Sequence, residues 1–184
     1  MRAPLPIAVL LLSLLACAPR REEGVGSAGP PRPQVLLTGA RMRAFSGPSL
    51  IARGRAARLA YYRDTGVAAA DEAWFELLPV PGRSPGLVRE HGPLEIRAAE
   101  VRGAAAQGRA QASGGVTLQT ASGVHAVTPE ARYDADAQVV LGDQGIVADK
   151  ADVRLTADAF RFNLATEELD FSGSVHTQAG VAAP

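Results

Sequence analysis

The sequence predicts an all-β domain of short antiparallel strands, and three observations carry that expectation. Apolar and polar residues alternate with a period of two along most of the chain beyond residue 34. Clusters of Gly, Asp, Ser and Pro interrupt the alternation at short intervals, as turns between strands do. A pattern of residue types also recurs about every 30 residues, as in stacked β architectures with a continuous core. Its copies are residues 101–116 (VRGAAAQGRAQASGGV), 131–146 (ARYDADAQVVLGDQGI) and 160–175 (FRFNLATEELDFSGSV). Each carries Arg in second place (Arg102, Arg132, Arg161) and ends on a β-branched residue.

Residues 1–17 precede the domain. Arg2 supplies a positive start, an apolar stretch spans residues 7–16, and Leu14-Leu15-Ala16-Cys17 closes it. The stretch is too short to cross a bilayer core, which takes about 20 residues in a helix, so it reads as a secretory signal. Cys17 is the single cysteine of the chain, which rules out an intramolecular disulfide. The Leu-x-Ala-Cys ending resembles the bacterial lipobox, which makes Cys17 the expected lipid-anchor residue. Residues 18–34 (APRREEGVGSAGPPRPQ) have no apolar period and are rich in Pro, Gly and charge, so they read as a flexible tether. Residues 35–184 form the expected domain.

Within it, Ala57, Leu59 and Tyr61 alternate with polar or small neighbours, and so do Leu94, Ile96 and Ala98. Val116, Leu118 and Thr120 follow, then Ala151, Val153 and Leu155, then Phe160, Phe162 and Leu164. Leu169, Phe171, Val175 and Thr177 complete the series. Turns are expected at Ser122-Gly123, residues 134–136, 142–145 and 165–168, and Ser172-Gly173. Residues 64–78 fit a helix or a strand. A strand is the expectation, followed by a long Pro- and Gly-rich loop over residues 79–93.

Composition narrows the function. Charge is balanced at 19 basic and 19 acidic residues, and no basic stripe interleaves with aromatics, which argues against a nucleic-acid partner. His91, His125 and His176 lack the spacing of metal ligands. Asp134, Asp136, Asp143 and Asp149 lack the order of an EF-hand loop and read as turn residues. No nucleophile elbow or cofactor motif is present, so neither an enzyme nor a cofactor is expected.

The stretch from GGVTLQTASG through TPEARYDADAQVV to ADKADVRLTADAFRFNLATEELDFSGSV resembles the periplasmic lipopolysaccharide-export proteins with OstA-like domains. The matching points are Gly114, Val116, Gly123, the Tyr133-Asp134 pair, Ile146, the Phe162-Asn163 pair, Gly173 and Val175. One domain behind a short N-terminal anchor makes the chain resemble the LptC family in particular. That resemblance implies an open, V-shaped β-jellyroll with an apolar inner face, and transport without catalysis. Acyl chains of lipopolysaccharide would lie along a groove with Val116, Leu118, Tyr133, Val153, Phe160, Phe162, Leu169 and Phe171 as lining candidates. The protein would accept cargo from an inner-membrane ABC transporter and pass it to an LptA-like bridge protein. The partner edge would comprise Phe171, Gly173, Val175 and Thr177. The expected location is the periplasm, held by lipid to a membrane, with the inner membrane favoured. The alternative is a structural β-solenoid lipoprotein of the envelope with no lipid cargo. Arg102, Arg132 and Arg161 are expected to solvate the outer face.

Overall fold

The computed structural model describes residues 32–80, 86–166 and 168–180. The leader with Cys17, and the tether up to residue 31, lie outside these residues. The first strands are β1 Val35–Ser46, β2 Ser49–Tyr62 and β3 Val67–Leu77. A short helix, α1 Gly86–His91, precedes β4 Leu94–Ala104, β5 Arg109–Thr120 and β6 Val124–Asp134. Then come β7 Val139–Gly142, β8 Ile146–Lys150, β9 Val153–Ala157, β10 Ala159–Asn163, β11 Glu168–Ser172 and β12 His176–Ala179. They form one 12-stranded sheet, antiparallel at every pairing. Among the described residues the sheet is open: β1 pairs only with β2, β11 only with β10, and β12 only with β9. The all-β antiparallel class is as the sequence predicted.

Strand length differs from expectation. β1 to β6 each run 11 to 14 residues, not the short segments read from the alternation. Each reverses its alternation halfway along, which made it look like two short strands. In β2 the apolar side runs Ala52, Gly54, Ala56 and then Leu59 and Tyr61. A spacing of three cannot stay on one face of a flat strand, because side chains alternate with period two. Yet Ala56, Leu59, Ala70, Ala73, Phe75 and Val101 pack in one cluster. The strands therefore turn over at a common line, and the apolar face stays continuous across it.

The backbone shows how. Gly39 in β1 has φ 61°, Glu72 in β3 has φ 49°, and Gly114 and Gly115 in β5 have φ 76° and 89°. At the two glycines β5 carries one residue more than either neighbour, a bulge of the kind that bends a strand. We call the line a corner and the two halves of the sheet leaves. Leaf 1 holds the Gly47-Pro48 end of the β1–β2 hairpin, β8, β9 and β12; leaf 2 holds β7, β10 and β11.

Beyond β6 the corner becomes a break. Residues 124–127 of β6 pair with β8, whereas residues 132–134 pair with β7. Residues 142–145 and Ser172-Gly173, read from sequence as hairpin turns, are instead crossings between leaves: β7 runs into β8 and β11 into β12 without pairing. Thr128, 1% exposed, braces the first crossing, with its hydroxyl 2.7 Å from the Gly145 carbonyl oxygen and 3.0 Å from that of Glu130.

The true hairpins use local hydrogen bonds. Asp134 Oδ1 accepts the N–H groups of Asp136 (3.0 Å) and Ala137 (3.1 Å). Asn163 Oδ1 accepts those of Ala165 (2.9 Å) and Thr166 (3.2 Å) in the same way. These Asx turns are the physical content of the Tyr133-Asp134 and Phe162-Asn163 pairs: an inward aromatic, then the residue that closes the turn. Each sixteen-residue copy is thus a leaf 2 hairpin plus one crossing. Neighbouring copies lie side by side in a meander, so the coils of a β-solenoid are not formed.

Within residues 79–93, expected to be a plain loop, lies α1, whose Val88 is 1% exposed. His91 holds this segment to the β5–β6 turn, its carbonyl accepting the Ser122 N–H at 3.1 Å and its Nδ1 lying 3.1 Å from Ser122 Oγ.

Candidate functional site

Directly paired residues share a face, so the register sorts every side chain. On leaf 1 the apolar face carries Phe75 opposite Ile96, then Leu118 opposite Ala126 and Ala148 opposite Leu155. On leaf 2 it carries Tyr133 opposite Val140, Val140 opposite Phe162, and Phe162 opposite Leu169. Beside the corner one row runs Leu37, Leu59, Ala70, Val101, Ala112 and Ala131, each paired with the next. The opposite face is charged. It presents Arg53 beside Glu76 and Arg97 beside Glu95 on leaf 1, and Arg58 beside Asp71 and Arg102 beside Glu100 on leaf 2. Arg102, Gln111, Arg132, Leu141 and Arg161 form one row on that face, so the three repeat arginines lie away from the apolar side.

All eight lining candidates fall on the apolar side, at different depths. Val116 and Phe160 are buried beside the corner, at 1% and 8% exposure. Phe160 belongs to a cluster that joins the leaves, with Ile146, Ala157 and Leu155 from leaf 1 and Ala131, Val140 and Phe171 from leaf 2. Leu118 and Phe162 are half-buried. Tyr133, Val153 and Leu169 stand furthest out, at 38%, 40% and 49%. The leaves therefore pack together at the corner and expose apolar side chains away from it. Among the described residues no group of three or more His, Cys, Asp or Glu is placed to hold a metal.

The four residues of the expected C-terminal edge do not form one strand. Phe171 lies in β11, Thr177 in β12, and Gly173 and Val175 in the crossing between them. The crossing is closely built. Asp158 accepts the Ser174 N–H at 2.7 Å, and a Cβ on Gly173 (φ 84°) would collide with the Asp158 side chain. The Ser174 bond holds the Asp158 carboxyl below its ordinary value, helped by the His176 charge and opposed by desolvation. Sequence reading missed the opposite edge. Among the described residues β1 has no strand partner on one side over twelve residues, and it exposes Val35, Leu36, Leu37, Met42 and Phe45. Its signal was present in the run VLLTGARMRAF, but Gly39 hides the alternation by reversing it.

No protein-family model matches the sequence, and no curated protein matches it. Among solved structures the chain is similar to LptH, the LptA-homologous periplasmic component of the lipopolysaccharide transport device of Pseudomonas aeruginosa. Identity is 9%, the TM-score is 0.49, and the match covers 69% of this chain and 93% of that one. A likeness at that level carries no argument about function; the fold class rests on the strand pairings.

Proposed function

We propose that this protein is an LptC-like carrier of the lipopolysaccharide-export path. The observation behind the reading is the apolar face that continues across the corner and opens away from it. Acyl chains meet such a face by burial alone, at about 25 cal/mol per Å² of apolar area. Burial has no direction and no preferred register, so a chain moves along it without breaking a specific bond. Leu118 and Ala126 on leaf 1 face the same side as Tyr133, Phe162 and Leu169 on leaf 2, and between them they offer walls to a lipid while the sugars and phosphates remain in water.

The unpaired edges supply the ends of the path. Free backbone donors and acceptors on an edge strand invite another strand, and augmentation of that kind joins domains into one sheet. In this reading β1 faces the inner-membrane ABC transporter and the β11–β12 edge faces the LptA-like bridge. Cys17 carries the lipid that holds the domain to the periplasmic side of the inner membrane, and neither a cofactor nor a catalytic step is involved. The test is transfer: purified protein loaded with fluorescent lipopolysaccharide delivers it to the bridge protein, and Leu169→Asp slows loading. A protein that takes up no lipopolysaccharide is a structural envelope protein instead.

A further inference from the structure

The charged face of leaf 1 contains an arrangement that folding alone does not favour. In the β1–β2 hairpin Arg41 lies directly opposite Arg55, and Arg43 directly opposite Arg53. The Arg41 row continues through Trp74 on β3 to Arg97 on β4. Like charges directly opposite one another across an antiparallel pair are destabilising. Arg53 is matched by Glu76, and Arg97 by Glu95 at 2.6 Å. Arg41, Arg43 and Arg55 form no ion pair among the described residues; Arg55 lies 5.2 Å from the centre of the Trp74 ring, which Arg53 also approaches at 5.8 Å. Arg55 acts with Arg97 on the Glu95 carboxyl, which desolvation raises but which hydrogen bonds from Trp74 and Arg97 and these two charges hold below its ordinary value, so the surplus of positive charge centres on Arg41 and Arg43.

The tip of the same hairpin is apolar. Phe45, 59% exposed, precedes the Gly47-Pro48 turn. An exposed aromatic at a loop tip beside a bank of guanidinium groups is a combination suited to a bilayer interface. An apolar ring such as Phe buries at the headgroup–acyl boundary, and guanidinium forks match the paired oxygens of a phosphodiester. Arg41, Arg55, Trp74 and Arg97 also line a depression of about 780 Å³ along the corner, where Glu72 is the one carboxylate among the described lining residues.

We infer that the β1–β2 hairpin is a docking surface for an anionic phospholipid bilayer, with Arg41, Arg43 and Arg55 on the headgroup phosphates and Phe45 inserted at the interface. This contact is independent of what the apolar face carries. It sets the orientation of the domain on the membrane.

Trp74 is the single tryptophan of the chain and lies within this surface, so it reports on binding. The full chain is titrated with vesicles of phosphatidylglycerol or of phosphatidylcholine while Trp74 emission is followed. Only phosphatidylglycerol changes the Trp74 signal, and high salt removes the change. The Arg41→Gln/Arg43→Gln double variant weakens the response by about tenfold or more, and Phe45→Ala weakens it as well. Arg109→Gln, on leaf 2, leaves it unchanged. Because the double variant removes like-charge pairs, its melting temperature is equal to or above that of the parent. Four results overturn the inference: an equal Trp74 response to both lipids, a response indifferent to the arginines, the same response to inorganic phosphate alone, or a double variant that melts lower.

Discussion

Phe160 lies across its strand partner Gly142 so closely that a Cβ on the glycine would come within 2.5 Å of the ring and 2.8 Å of the Glu130 carbonyl oxygen. Leaf 1 repeats the device, where a Cβ on Gly54 would come within 2.8 Å of the ring of its partner Phe75. In both leaves an aromatic covers a bare stretch of backbone beside the corner. Gly142→Ala is expected to cost about 1–3 kcal/mol, because backbone as well as ring must move. Gly54→Ala costs less, since the backbone its Cβ would meet, the Trp74 carbonyl oxygen, lies at 3.1 Å and its ring contact is looser. Urea unfolding of the two variants gives the order.

Ala151 holds a left-handed backbone, φ 53°, in the turn between β8 and β9. For a residue with a Cβ that conformation costs about 1–2 kcal/mol, whereas glycine adopts it freely. Ala151→Gly is expected to stabilise the domain by about 0.5–1 kcal/mol after the added chain entropy is subtracted. A rise in thermal midpoint checks this, and a fall contradicts it.

The bond from the Ser174 N–H to Asp158 predicts how acid acts on the C-terminal edge. The Asp158 carboxyl has a folded pKa below its ordinary value. Its contribution is therefore complete above the ordinary carboxylate range and is lost as pH falls through the lowered folded value. Asp149 shifts the same way, chiefly through its hydrogen bond from Arg154. On acidification the crossing between β11 and β12 should loosen, seen as faster hydrogen exchange at the Ser174 amide. In Asp158→Asn that exchange should be fast already at neutral pH and lose its dependence on this titration.

The class of the fold was legible because period-two alternation survives any bending of the sheet. The corner was not. A reversal of alternation at Gly39 or Glu72 looks in sequence like the end of one strand and the start of another, so long bent strands read as short ones. For the same reason residues 142–145 and Ser172-Gly173 read as reversals of direction when they are kinks. The lining candidates emerged from alternation in the second half of the chain, where Phe160, Phe162, Leu169 and Phe171 are large. The matching face of β2 and β3 carries Ala52, Gly54, Ala56, Ala68, Ala70 and Ala73, and these small side chains gave no signal until pairing placed them in rows. The β1 strand went unread because Gly39 reverses the alternation within VLLTGARMRAF, and its place at the edge is a property of the whole sheet.

The central claim is that cargo meets the apolar side and not the charged one, and neighbouring residues of a single strand test it. A photo-reactive side chain is placed in cells at Phe162 or Leu118, on the apolar side, and at Arg161 or Gln119, on the charged side. The account expects lipopolysaccharide adducts at Phe162 and Leu118, with little or none at Arg161 and Gln119. Adducts confined to Arg161 and Gln119, or absent from all four positions in folded protein, would contradict it.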